Sequence, residues 1–312
     1  MGQCRKSYVL DMAMDLRQLR YFIAVAEERH ITRAAERLGM QQPPLSQQIK
    51  ALERELDIQL FRRKPRGVEL TEAGAVLFDE ARDLFDRLKH ALETTRRTAR
   101  GERGQLCVGI APTAPFHPRV PKAIRDFRGR FPFVRLTLEE GLSNEVVERL
   151  RDGRMDVAFI RKAAIEVADL VVHRLVQEPL IVALPSGHQA VRGKRAGLLA
   201  LVKLAGDAFV VIGPPGTGLH DETLKACRQA GFSPRIEQQA PRITSALGLV
   251  ATGLGITLVP ESLQRIRMSG VVYRRLTGTV QPEAFLGLAL RKNNPSAVLR
   301  QFVASVKRTM VG

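Results

Sequence analysis

The sequence predicts an α/β chain fronted by a small all-α winged helix-turn-helix, and three observations carry that expectation. Helical periodicity broken by a tight glycine turn fills residues 15–71, a proline-free heptad run follows to Gly101, and strands then alternate with helices. At 312 residues the chain has room for two or three separate cores.

The first helix begins near Leu16, where Leu19, Phe22, Ile23 and Ala26 recur at helical spacing. Thr32 is expected to cap a short second helix, with Ala34, Ala35 and Leu38 facing inward and Gly39 ending it. A third helix opens on Pro43 and Pro44, which cost nothing in a first turn that needs no N–H. Leu45, Ile49, Leu52 and Leu56 make its buried stripe, while Gln42, Ser46, Gln47 and Lys50 face the other way. Amide, hydroxyl and ammonium groups of that kind bind base edges or phosphates. Short helix, glycine turn and polar-faced helix form a helix-turn-helix that places its second helix in the major groove of double-stranded DNA. On this face alone, an ordinary solvated helix pair is the plainer alternative. The next segment, LFRRKPRGVELT, tips the balance: it predicts a hairpin turning at Lys-Pro-Arg-Gly. Arg62, Arg63, Lys64 and Arg66 would line that wing and suit the DNA backbone or a minor groove.

Thr71 is expected to cap a long linker helix over residues 72–101. Leu77, Ala81, Leu84, Leu88, Ala91 and Thr95 step by four and three, a heptad seam that Phe85 and Leu92 widen. Such a seam wants a partner helix, either from a second copy of the chain or from its own domain.

Beyond Gly101, strands are expected at 105–111, 134–140 and 155–160, with helices near 117–130 and 143–152 between them. The pattern resumes with PLIVALPSGH, DAFVVIG, a helix at 219–230, RIEQQAP and a helix from Thr244. Alternation of this sort predicts a mostly parallel sheet with its ligand site at the strand ends, beside helix starts. Thr113, Ser143, Asn144, Arg161, Gly216, Thr217, Gly218, Arg242, Ile243 and Thr244 occupy those junctions. Hydroxyls and free N–H groups at helix starts, with two arginines, suit a carboxylate; for any one position, plain N-capping is an equal alternative.

The formal net charge of +17 and the sequence pI near 10.7 point to polyanionic partners. Residues 1–71 hold 13 Lys and Arg against 9 Asp and Glu, residues 72–100 six of each, and the remainder 30 against 17. The largest excess is therefore in the C-terminal part, and it favours a small organic anion as ligand. Three scattered cysteines, Cys4, Cys107 and Cys227, suit a reduced cytoplasm and inert thiols. The opening residues lack an export signal, and the most apolar stretch, 247–260, is too short and glycine-rich to span a bilayer. GPPGTGLH at 213–220 resembles a phosphate loop but carries Leu219 and His220 where Lys and Ser/Thr are required. The six histidines form no ligand-spaced pair, and no nucleophile elbow appears, so neither metal, cofactor nor enzyme chemistry is expected. His117 and His220 are expected near the cleft, as solvated residues or ligand contacts.

YFIAVAEERHITRAAERLGMQQPPLSQQIKALERELDIQLFRR, with the wing and LTEAG after it, resembles the signature of LysR-type transcription regulators. The resemblance implies that Gln42, Pro43, Pro44, Ser46 and Gln47 lie at the groove, with Thr32 and Arg33 among the DNA-binding residues and the wing arginines on the backbone. Gln47 departs from the Arg or Lys common there, and the Pro pair is similar to the branch controlling catabolism of aromatic compounds. It implies further that Met12 or Met14 begins the native chain and that residues 1–14 are a disordered extension. The linker would be a dimerisation helix, and effector-domain contacts would extend the homodimer to a tetramer. RNA polymerase would be a further partner. After residue 104 a two-lobed, periplasmic-binding-protein-like domain is implied: lobe one from 104–177 and 274–312, lobe two from 178–273, with an effector between them. A solute-binding protein shares that two-lobed fold, but it lacks the wing and needs an export signal.

Overall fold

Helix α1 (Leu16–Glu28) is set at its start by a reciprocal cap. Asp15 accepts from the Gln18 N–H at 2.8 Å, and the Gln18 side chain accepts from the Asp15 N–H at 3.1 Å. At its end Arg29 adopts a left-handed conformation, φ 51°, and reverses the chain in one residue. Helix α2 (Ile31–Arg37) therefore starts at once, with His30 rather than Thr32 at the N-cap. Thr32 sits exposed inside the first turn, so the cap expected of it is corrected. Gly39, φ +68°, closes the turn into α3 (Gln42–Leu56), whose first turn accommodates Pro43 and Pro44. Leu45, Ile49 and Leu52 join Phe22, Val25, Ala34 and Ala35 in one core, with Leu56 at its margin.

The computed structural model describes residues 15–161, 170–192, 198–278 and 281–311. The extension expected over residues 1–14, with Cys4, lies outside them. Contacts divide the chain into a unit ending at Thr95 and a unit beginning at Arg96.

Strands β1 (Phe61–Lys64) and β2 (Gly67–Leu70) pair with Lys64 opposite Gly67, so the hairpin turns at Pro65 and Arg66 as expected. It is tied down twice. Glu53 of α3 accepts from the N–H groups of Leu60 and Phe61 at 2.8 and 3.1 Å, and the Val68 N–H donates to the Arg29 carbonyl at 2.9 Å. Gly67 makes the second tie possible: at φ +139°, a Cβ there would lie 2.3 Å from that same carbonyl oxygen.

Helix α4 (Glu72–Ala99) is capped by Thr71, whose hydroxyl oxygen accepts from the Gly74 N–H at 2.9 Å. Its seam divides in two. Leu77 and Phe78 pack on the N-terminal core and Ala81 is buried, whereas further along Leu84, Ala91 and Leu92 are exposed and Phe85 and Leu88 are half-buried. Leu84 is 44% exposed and Leu92 50%.

The second unit opens with β3 (Arg103–Ile110), α5 (Arg119–Arg130), β4 (Phe133–Glu140), α6 (Ser143–Arg151) and β5 (Val157–Ile160), the three strands parallel in the order β4-β3-β5. Then comes β6 (Leu170–Pro185), sixteen residues long, which belongs to both lobes. After it run α7 (Gln189–Arg192), β7 (Leu198–Ala200), β8 (Ala208–Ile212), α8 (Gly218–Gln229), β9 (Arg235–Ala240) and α9 (Ile243–Ala251). The chain finishes with β10 (Thr257–Pro260), β11 (Val271–Thr277), β12 (Glu283–Arg291) and α10 (Ala297–Val311).

The first half of β6 pairs with β12, beside β5, and its second half pairs with β10 and β11, all antiparallel. The sheet is thus less parallel than the alternation suggests, because strands returning from the C-terminal part enter it against the others. One lobe closes over Phe127, Phe159 and Phe302, the other over Phe209, Leu247 and Leu258. The return to lobe one, expected near Tyr273, is corrected. Tyr273 lies within β11 opposite Ala183 and packs on the core of lobe two, so the chain crosses back only between Thr277 and Glu283.

Candidate effector cleft and nucleic-acid interface

On the N-terminal unit, Gln42, Pro43, Pro44, Gln47 and Lys50 are exposed on one face of α3, with Ser46 half-buried among them. Arg62, Arg63, Lys64 and Arg66 are exposed on the hairpin. Two of the basic groups already have partners: Lys64 meets Glu69 across the hairpin at 2.9 Å, and Arg33 donates to the Glu28 carbonyl at 2.7 Å. The Lys64 pair is fully solvated and contributes little, so a phosphate can displace it.

In the second unit, the starts of three helices meet at one cavity between the lobes. Ser143 begins α6, Thr217 is the N-cap of α8 and Arg242 the N-cap of α9, while Thr113 precedes a single 3-10 turn at Ala114–Phe116. Thr113, Ser143, Arg161, Thr217, Gly218, Arg242 and Ile243 all line the cavity, together with Ala111, Leu142 and Gly213. First-turn N–H groups have no partner within their helix, which gives the site donors and the positive ends of three dipoles. Three of the residues expected here do not line it. Thr244 is exposed, and Asn144 and Gly216 instead meet each other, the Asn144 amide donating to the Gly216 carbonyl at 3.1 Å from one lobe to the other.

Arg161 is the chemical centre of the cleft floor, but it is not a free cation. Nη1 meets Glu178 Oε1 at 2.7 Å and Nη2 donates to the Thr113 carbonyl at 3.3 Å, while its backbone N–H donates to Ser143 Oγ at 3.2 Å. The two side chains are only 3% and 9% exposed. Burial pushes the guanidinium down from its ordinary value while the Glu178 carboxylate pulls it back up. Arg161 Nε is buried and has no hydrogen-bond partner among the described residues. Arg242 is also engaged, with Glu140 across the cleft at 3.0 Å.

Glu178 was not singled out by sequence reasoning. It also accepts from the Ser262 N–H at 2.8 Å and the Ser262 hydroxyl at 3.1 Å, so three donors converge on a single carboxylate where β6 crosses between the lobes. The signal was present: a lone acid ahead of Pro179, in a strand otherwise apolar enough to be buried, implies a buried partner. The lobes approach closely at a second point as well. A Cβ on Gly218 would fall 1.7 Å from the Arg161 carbonyl oxygen.

Neither of the histidines expected near the cleft lines its cavity. His220 is buried in α8, with Nδ1 3.3 Å from Asp221, and His117 lies beside Glu178. Burial raises the Cys227 thiol to about 11, and burial together with Glu139 raises Cys107 to about 11. Both stay protonated at neutral pH and belong to separate cores, as inert thiols do. No described helix is long and apolar enough to cross a membrane.

Residues 16–75 match the family described as "Bacterial regulatory helix-turn-helix protein, lysR family", and residues 99–311 match "LysR substrate binding domain". The chain is 37% identical to the HTH-type transcriptional regulator BudR of Raoultella terrigena, covering 93% of this chain and 99% of that one. It is 36% identical to the regulator CatR of Pseudomonas putida, over 92% and 96%. Among solved structures, the LysR family transcriptional regulator CbnR matches with a TM-score of 0.84 at 30% identity, over 94% of this chain and all of that one. Full-length CbnR bound to its target DNA matches with a TM-score of 0.80 at 31% identity, over 95% of this chain and all of that one. With a helix-turn-helix in front and a two-lobed domain that can enclose an effector behind, the chain belongs to the LysR family of DNA-binding transcription regulators and is not an enzyme.

Proposed function

We propose that the cleft binds a small organic anion, of the aromatic-carboxylate or related dicarboxylate class, and that its occupancy switches operator binding in the cytoplasm. The observation that carries this is the convergence of three helix starts with the hydroxyls of Thr113, Ser143 and Thr217 on one cavity. Because Arg161 and Arg242 already hold carboxylates, the anion's oxygens would meet backbone N–H groups and hydroxyls, that of Thr217 turning from the Pro214 carbonyl to which it donates at 2.6 Å, with Arg161 Nε as a further charged donor. The Pro43–Pro44 likeness supports the aromatic class.

The cavity measures about 40 Å³, space for waters but not for a ring. A ring-sized ligand would have to part the Asn144–Gly216 and Arg242–Glu140 contacts, which gives it different affinities for two arrangements of the lobes. Benzoate should raise the melting temperature of the full chain and uncharged benzamide should not. Thr113→Val and Thr217→Val should each lower the benzoate shift while leaving the ligand-free melting temperature within about 2 °C, since a buried hydroxyl bond is worth about 1 kcal/mol. An equal response to benzamide would remove the anion, and an unchanged response in both variants would remove the cleft.

The outer face of α3 is the base reader in this proposal, with Gln42, Ser46, Gln47 and Lys50 in the groove and Arg62, Arg63 and Arg66 on phosphates. Gln47→Ala should cost about 1–3 kcal/mol on the specific operator and relax preference at one base pair. Arg63→Ala should weaken specific and random DNA alike and flatten the salt dependence. Equal losses on both DNAs for Gln47→Ala would take that side chain out of base readout.

A further inference from the structure

Glu178, whose partner Arg161 lines the cleft, itself lines an open pocket of about 890 Å³ with an unusual charge balance. It is lined by β11, by the segment following the 3-10 turn Glu261–Arg265, and by His117. Four guanidinium groups border it, those of Arg265, Arg267, Arg274 and Arg275, against two carboxylates. Both carboxylates are taken. Glu178 is committed to Arg161 and Ser262, and Glu261 to Arg275. Among the described residues, Arg274 donates only to the Tyr273 carbonyl, at 3.2 Å, and Arg265 and Arg267 have no hydrogen bond or ion pair. Among the described residues, three guanidinium groups therefore share one concavity whose two carboxylates are engaged elsewhere.

We propose that this pocket is a second ligand site, for a small polyanion, either a phosphate ester or a polycarboxylate, held by Arg265, Arg267 and Arg274. Three forked donors around one cavity match closely spaced anionic oxygens, whereas the primary cleft, with its arginines paired, offers mostly hydroxyl and backbone donors. The pocket's electrostatics agree. His117, buried at its edge, is held below the usual histidine value by desolvation and by the charges of Arg161, Arg119 and Arg265, against the opposing pull of Glu178. An anion beside those arginines would relieve that depression.

Titration calorimetry of the full chain with pyrophosphate and with citrate tests the site and separates the two sources. At least one should bind with a single site per chain. Affinity should fall about tenfold or more in Arg265→Gln/Arg267→Gln, as two charge-assisted bonds are lost, and should be unchanged in Thr113→Val. Because Arg265 and Arg267 are exposed, the double variant should fold normally. The His117 imidazole, followed by NMR, should titrate at higher pH when the anion is present in the parent chain but not in the double variant. Four outcomes would overturn the proposal: no binding of either anion, equal binding to the double variant, loss of binding in Thr113→Val, or loss of operator DNA affinity without loss of anion binding. The third would mean that the anion enters the primary cleft, and the fourth that the arginines serve DNA phosphates.

Discussion

Glu178→Ala is expected to destabilise the C-terminal unit by about 3–5 kcal/mol, because it leaves the Arg161 charge buried and unpaired. Urea unfolding followed by circular dichroism measures it. The variant also orphans the Ser262 N–H, whose only described acceptor is the same carboxylate. Glu178→Gln keeps one acceptor oxygen and the shape of the side chain, so it should cost less than the alanine change. Removing both charges together, as in Arg161→Met/Glu178→Leu, should recover much of the loss, since a buried pair cut to one ion is worse than none. A Glu178→Ala cost below about 1 kcal/mol would mean that water reaches the pair, because that is the range of solvated ion pairs.

Leu84→Glu combined with Leu88→Glu should dissociate the dimer that we propose forms through α4. The first turns of α4 are occupied by their own domain, but Leu84 and Leu92 stand 44% and 50% exposed on the heptad seam. Regulators of this family are oligomers, and we propose that a second copy of the helix would supply the cover. Four carboxylates placed in that seam repel each other, and each half-site alone binds weakly. Operator affinity should therefore drop at least about 100-fold, and the sedimenting mass should halve or better. Retention of both mass and affinity would show that the chain assembles elsewhere.

What could be read from the sequence was local. Period and punctuation locate α1 to α3 because one face must bury Leu45, Ile49 and Leu52, and the Lys-Pro-Arg-Gly turn locates the wing. The strand-to-helix junctions were legible for the same reason, and seven of the ten residues expected there line one cavity. What could not be read depends on chain distant in sequence. Thr32 looks like a cap until Arg29 turns left-handed, a conformation accompanied by the Val68 N–H on its carbonyl. Arg161 and Arg242 look like free cations until the fold brings Glu178 and Glu140 to them, the latter from 102 residues away. Tyr273 looks like a crossing point because nothing local says that β11 still pairs with the second half of β6.

The central claim, that cleft occupancy controls DNA reading, is tested most directly by the anisotropy of a labelled operator titrated with the full chain, with and without benzoate. The parent chain should change its operator affinity or its protected length when benzoate is added. Thr113→Val/Ser143→Ala/Thr217→Val should bind the operator as the parent does without ligand, and should then show no change on addition. A triple variant that responds to benzoate as fully as the parent chain would contradict the claim, because the anion would then be acting from somewhere other than the cleft.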